Sequence, residues 1–176
     1  MVNSGRMHTV VFVEGVSDQI AVETLAIRHG RDLAAEGILV QPTGGAHGML
    51  RHLREFAGKR VAGLCDVGEA HVVQRALDED SIELAGLFVC VEDLEDELIR
   101  AAGTARVQEV FGQHGDLAAF HTIQRQPAWR GKDEAAQLRR FLGAGSQRKI
   151  RYARLLVDAI DLDRMPRPLT ALLDSL

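Results

Sequence analysis

Six carboxylates stand where a folded chain can bring acids together: Glu14, Asp18, Asp66, Glu69, Glu92 and Glu95. Glu14, Asp66 and Glu92 each follow a short apolar run, and Asp18, Glu69 and Glu95 come within a few positions of them. A carboxylate at the end of a buried strand is costly without a counter-charge. Several gathered together repel unless cations lie among them. Oxygen-only ligands favour a hard ion, Mg²⁺ or Mn²⁺, over zinc. The seven histidines show no HExxH-type pairing. Cys65 and Cys90 end apolar runs and read as buried thiols, neither a disulfide framework nor a zinc pair. Taken one at a time, the acids also have plainer roles, with Glu14 ending a strand in water and Asp18 capping a helix.

The elements that must position these acids alternate along the chain. The run Val10-Val11-Phe12-Val13 predicts a buried strand. Ser17 and Asp18 then supply N-cap chemistry for a helix bearing Ile20, Ala21, Leu25 and Ala26, which His29-Gly30 ends. Residues 37–41 read as a second strand, followed by the loop Pro42-Thr43-Gly44-Gly45 and a helix over about 46–57. Residues 60–65 form a third strand, with a helix carrying Val72, Val73, Ala76 and Leu77 after it. Residues 85–91 form a fourth, and a helix opens among Asp93, Glu95, Asp96 and Glu97, acids well placed at its positive end. Such alternation implies right-handed βαβ units, hence an α/β fold with a four-stranded parallel sheet covered on both faces. Parallel strands end along one edge, where ligands bind. Glu14, Asp66 and Glu92 meet there. Beyond about residue 103 the pattern is helical. The expected organisation is one domain of 176 residues, a core over about 8–103 and a basic helical extension over about 104–176.

Charge divides along the chain although the formal net charge is only −4. From Asp66 to Glu97 there are eleven acids against one base, Arg75; from Arg125 to Arg154, nine bases against two acids, Asp133 and Glu134. An acidic centre beside a basic lobe suits cations at the first and phosphates at the second. Solvated helix faces are the plainer account of such runs, above all around Asp78-Glu79-Asp80. No apolar run approaches the roughly 20 residues of a membrane span, and the first residues carry no hydrophobic signal segment. A cytoplasmic protein is expected. Gly15, Gly44 and Gly45 permit close approach of backbone to phosphate, or simply make turns.

The motifs Val13-Glu14-Gly15-Val16-Ser17-Asp18, Gly44-Gly45, Leu64-Cys65-Asp66-Val67-Gly68-Glu69 and Leu94-Glu95-Asp96-Glu97-Leu98 resemble the TOPRIM domain, in the version found in OLD-family (overcoming lysogenization defect) nucleases. The resemblance extends to Arg148-Lys149-Ile150-Arg151-Tyr152-Ala153-Arg154 and Met165-Pro166-Arg167-Pro168. It implies a parallel βα core and a Mg²⁺ site built from a glutamate and an Asp-x-Asp pair, with two metals in OLD-type nucleases. Carried over, Glu14 is the first-motif glutamate, Asp18 its partner, Asp66 the first aspartate and Glu95 the additional acid. Lys149 matches the late lysine. Two departures stand out. Gly68 occupies the second aspartate's position, so Glu69 or a water must substitute if a second metal binds. No GxxxxGK[ST] appears, so no ATP site accompanies what reads as a stand-alone TOPRIM protein.

A nuclease or phosphodiesterase dependent on Mg²⁺, with Mn²⁺ able to replace it, is therefore expected. Glu14, Asp66 and Lys149 are its catalytic candidates and Glu14, Asp18, Asp66, Glu69 and Glu95 its metal ligands. Gly15, Gly44, Gly45 and Arg148 are candidate phosphate contacts. Lys149 draws particular notice because the chain has eighteen arginines and three lysines. The partner is nucleic acid, DNA or RNA. The alternative is a non-catalytic, metal-binding module that docks nucleic acid or a partner such as a topoisomerase. Tyr152, the only tyrosine, reads as a core ring rather than a topoisomerase nucleophile. Trp129 and Phe120 are stacking candidates or core residues.

Overall fold

The computed structural model describes residues 7–56, 58–79 and 84–176. Expectations placed on residues 1–6, on Ala57, on the side chains of residues 76–79 and on Asp80 lie outside the described residues. Strands β1 (Thr9–Val13), β2 (Ile38–Pro42), β3 (Arg60–Asp66) and β4 (Leu84–Cys90) form one parallel sheet in the order β2-β1-β3-β4. β4 ends at Cys90, two residues before Glu92, and β2 is shifted one residue from its expected position.

β1 is buried throughout because it lies inside the sheet with both faces covered. Its alternate residues feed two cores. Val11 and Val13 join Val40, Ala62 and Leu64 in the larger one, with α1 (Val16–Arg28), α4 (Leu94–Ala102) and the C-terminal helices. Val10 and Phe12 turn the other way, onto Met49 and Leu53 of α2 (Ala46–Glu55) and Val73 of α3 (Val67–Glu79). Gly48 lets α2 press onto the preceding loop, since a Cβ there would sit 1.7 Å from the Thr43 carbonyl oxygen.

After α4 the chain is helical: α5 (Thr104–Gln113), α6 (Leu117–Arg125), α7 (Glu134–Leu142), α8 (Ser146–Ala159) and, after a short 3₁₀ turn, α9 (Arg167–Ser175). α8 packs along α1, and α9 packs on β4 and β3. Phe111 anchors this half, with Tyr152, Phe141 and Phe120 at ring separations of 4.8, 4.9 and 5.5 Å. Tyr152 is a core ring as its sequence setting suggests. It is 1% exposed and its hydroxyl donates to Asp116 Oδ2 at 2.7 Å. Burial, then that bond, pushes the phenol's pKa well up, which makes it a poor nucleophile. Phe120 is likewise core, at 0% exposure. Among the described residues no helix is long and apolar enough to cross a membrane.

Candidate functional site

Because every strand points the same way, β1 and β3 deliver Glu14 and Asp66 to one edge of the sheet. A cavity of about 450 Å³ opens there, lined by Glu14, Gly15, Asp18, Asp66, Glu95 and Lys149. Its mouth is shaped by local backbone chemistry. Thr43 and Gly44 donate their N–H groups to the carbonyls of Val13 and Glu14 at 3.0 and 2.9 Å, which seats the glycine loop against the end of β1. Gly15, not Ser17, is the N-cap of α1, and Asp18 at its third position reaches back to accept the Gly15 N–H at 2.7 Å. That arrangement corrects the expected Ser17 cap and aims Asp18 at the cavity. Asp66 Oδ1 accepts the Glu69 N–H at 2.8 Å and so starts α3.

The acids disturb one another. Burial first, then the charges of Glu69 and Asp66, hold the Glu14 carboxyl above its ordinary range. Asp18 is pushed up to about 7, chiefly by burial and further by Glu95 and Glu14, although the Gly15 N–H works the other way. Lys149 is one cation of the cavity, and its Nζ lies 3.1 Å from Glu95 Oε2 across 54 residues. Burial opposes its charge, yet Glu95, backed by Asp93 and Asp18, holds its pKa above the ordinary lysine value.

The acids after β4 are in a different condition. Arg139 bonds Asp93 at 2.8 Å and Glu92 at 3.2 Å; Arg100 bonds Asp96 at 2.8 Å and Glu97 at 2.7 Å. Asp93 also caps α4 through the Asp96 N–H at 2.8 Å, and Glu97 accepts the Val91 N–H at 3.0 Å. Arg139 and Asp93 line the cavity too. Sequence reasoning missed both, and only the position of Arg139 within the basic stretch hinted at it. Cys65 and Cys90 are free, buried and at the cavity wall, as thiols kept protonated by burial and by nearby acids.

Other candidates lie elsewhere. Arg148 stacks on the Phe141 ring at 4.1 Å and donates to the Phe141 carbonyl at 3.1 Å. It does not line the cavity, because its guanidinium satisfies a carbonyl near the end of α7 rather than awaiting a phosphate. Gly45 faces Glu69: a Cβ there would meet Oε1 at 3.0 Å, in a backbone with φ 99°. Glu69 therefore sits beside the cavity, not in its wall. Gly68 is exposed on α3, and a Cβ would come 3.2 Å from Asp66 Oδ1. Among the described residues, no three His, Cys, Asp or Glu side chains are grouped to hold an ion as they stand. The donor chemistry nonetheless fits a hard divalent cation. The acids lining the cavity are carboxylates whose mutual repulsion a cation relieves.

Comparison with known proteins agrees with this architecture. Residues 7–67 match the family described as "Overcoming lysogenization defect protein-like, TOPRIM domain". The C-terminal region of the OLD protein of Xanthomonas campestris pv. campestris superposes with a TM-score of 0.68 at 21% identity, covering 96% of this chain and 91% of that one. The C-terminal region of the Burkholderia pseudomallei OLD protein gives 0.65 at 17% identity, covering 96% and 98%. No curated protein sequence matches the chain.

Proposed function

The chain resembles the TOPRIM domain of OLD-family proteins, and from that premise we propose that it hydrolyses phosphodiester bonds of nucleic acid with a divalent metal. Glu14, Asp18, Asp66 and Glu95 would hold the ion, with Glu69 available for the position Gly68 leaves without a carboxylate. The observation that carries this is one cavity in which those four acids and Lys149 converge from β1, α1, β3, α4 and α8. A bound Mg²⁺ or Mn²⁺ supplies a more acidic water and neutralises charge on phosphate oxygens.

The chain's own groups do the rest. Lys149, a compact ammonium already inside the cavity, turns from Glu95 to a phosphate oxygen as charge builds there. Gly15 and Gly44 line the wall without side chains, leaving room for a phosphate. Burial and the acidic surroundings raise the proton affinity of Glu14 and Asp18, and a bound cation would work against both effects. A cytoplasmic location suits Mg²⁺, nucleic acid and two reduced thiols.

Supercoiled plasmid, linear DNA and structured RNA incubated with Mg²⁺ or Mn²⁺, with and without EDTA, test the proposal. Metal-dependent cleavage lost in Asp66→Asn supports it; no cleavage of any substrate in either metal overturns it. Gly68 and the Lys149–Glu95 bond favour one other reading. In it the site binds a single ion without turnover, and the basic lobe docks nucleic acid or a DNA-processing protein such as a topoisomerase. Metal-induced stabilisation with nucleic-acid binding but no cleavage would establish that reading.

A further inference from the structure

Beside the carboxylate cavity lies a second of about 590 Å³, and Asp93, Glu95, Arg139 and Lys149 line both. Trp129 and Arg140 stand on its outer side. Trp129 is the chain's single tryptophan. It is half-buried, whereas the other large aromatics of the helical half, Phe111, Phe120, Phe141 and Tyr152, are exposed by 1% or less. The turn that carries it is held from three directions. Trp129 N–H donates to the Gln126 carbonyl at 2.9 Å, while its own carbonyl accepts from Lys132 N–H at 3.1 Å and from Gln137 Nε2 at 2.8 Å. A backbone fixed this way, carrying an aromatic ring left out of the core, is a platform.

Charge around the platform is unbalanced. Acids in the cavity wall are engaged: Asp93 by Arg139, Glu95 by Lys149, Asp96 by Arg100, and Asp133 as the α7 cap accepting Ala136 N–H at 3.2 Å. Arg125, Arg130, Lys132 and Arg140 surround Trp129 in sequence, are exposed, and make no ion pair among the described residues. The Arg140 guanidinium lies 5.9 Å from the indole centroid, within cation–π reach. That is longer than a closed stack of about 3.5–4 Å. A π-face bordered by free cations suits one ligand chemistry above others, a base with its phosphates.

We infer that this second cavity is a subsite for an unpaired nucleotide. Its base stacks on Trp129, its phosphates meet Arg140 in the cavity wall, and the adjoining phosphodiester reaches the carboxylate cavity through the shared wall. Arg130 and Lys132, near Trp129 along the chain, add attraction from outside the wall. The inference rests on the nucleic-acid reading above and deepens it, since it assigns single-stranded or frayed strands as the substrate. In an intact duplex both faces of each base are already stacked, and exposing one costs a few kcal/mol.

Trp129 fluorescence reports binding directly, because no other tryptophan emits. Titrations in EDTA with oligodeoxyadenylate, an abasic strand of equal length and a blunt duplex separate base from phosphate. Saturable quenching by oligodeoxyadenylate, absent with the abasic strand and weaker with the duplex, is expected. Trp129→Ala should weaken oligodeoxyadenylate binding, read by anisotropy of a labelled strand, by roughly 5- to 150-fold and leave abasic-strand binding unchanged. Trp129→Phe should lose less, and serves if the alanine variant melts early. Equal affinity for oligodeoxyadenylate and abasic strand in the unaltered protein, or quenching as strong with duplex, overturns the subsite while leaving the nuclease reading intact. Failure of the unaltered protein to bind any of the three overturns the subsite, while cleavage in Mg²⁺ or Mn²⁺ decides the nuclease reading separately.

Discussion

At the ends of β1 and β3, Glu14, Asp18 and Asp66 line one cavity with Lys149, and two of them hold their protons more tightly than free carboxylates do. After β4, four of the five acids in residues 92–97, Glu92, Asp93, Asp96 and Glu97, are each bonded to Arg139 or Arg100, and the fifth, Glu95, to Lys149. Both groups are acids at the carboxyl edge of one parallel sheet. Compensated acids cap a helix and tie α7 to α4, which is structural work. Undercompensated acids store repulsion that a proton or an added cation relieves, and such repulsion is what a metal-binding site carries before its metal arrives.

The largest effect that separates the groups is on turnover. Glu14→Gln and Asp66→Asn should each slow plasmid cleavage at saturating Mg²⁺ by about 10²–10³-fold or more, as expected for a lost electrostatic stabiliser. Asp66→Asn keeps an oxygen for the Glu69 N–H, so the variant should remain folded by circular dichroism. Glu92→Gln, at the cavity wall but already paired with the exposed Arg139, should change the rate by less than about twofold. Comparable losses in Glu92→Gln and Asp66→Asn would erase the distinction.

Next comes the pH dependence of stability without metal. Asp18 has a folded pKa of about 7 against an ordinary 3.8. The folded state therefore binds the extra proton, and stability falls as pH rises from about 4 through about 7. Urea unfolding in EDTA should show a loss on the order of 3 kcal/mol across that window. Asp18→Asn, which retains an acceptor for the Gly15 N–H, should flatten most of the slope. An unchanged slope in that variant would show that Asp18 is solvated and does not share the cavity's repulsion.

Smaller, and more discriminating, is rescue by metal. Lys149→Ala leaves Glu95 without its ion pair, and Arg100→Ala does the same to Glu97 and Asp96, although Glu97 keeps the Val91 N–H. Both bases are well exposed, so each change should cost only about 1 kcal/mol in EDTA. Mg²⁺ should restore the melting temperature of Lys149→Ala, because an ion bound only to the folded state stabilises it. It should do nothing specific for Arg100→Ala. Equal rescue of both variants would mean that Mg²⁺ screens charge generally rather than occupying the cavity. The smallest expected change is Glu92→Gln on stability, within about 0.5 kcal/mol by chemical denaturation.

Much of the fold is written locally. The β-branched run 10–13, the Gly30 stop and the acids at 93–97 specify strand, helix end and helix start through steric and dipole effects that act over a few residues. Strand ends then follow, and with them the placement of Glu14, Asp18 and Asp66, because parallel strands share one edge. Partnership is not local. Lys149 reaches Glu95 across 54 residues and Arg139 reaches Asp93 across 46, through the docking of α8 and α7 on α4. For the same reason Arg148, adjacent to Lys149 in sequence and alike in charge, turns to the Phe141 ring instead of the cavity. On a helix, neighbouring residues project about 100° apart, so which one meets the acids depends on the face α8 lays against the core. Sequence by itself determined which residues are acids at strand ends; only the packed helices decided which of those acids are answered by arginine and which are left for a cation.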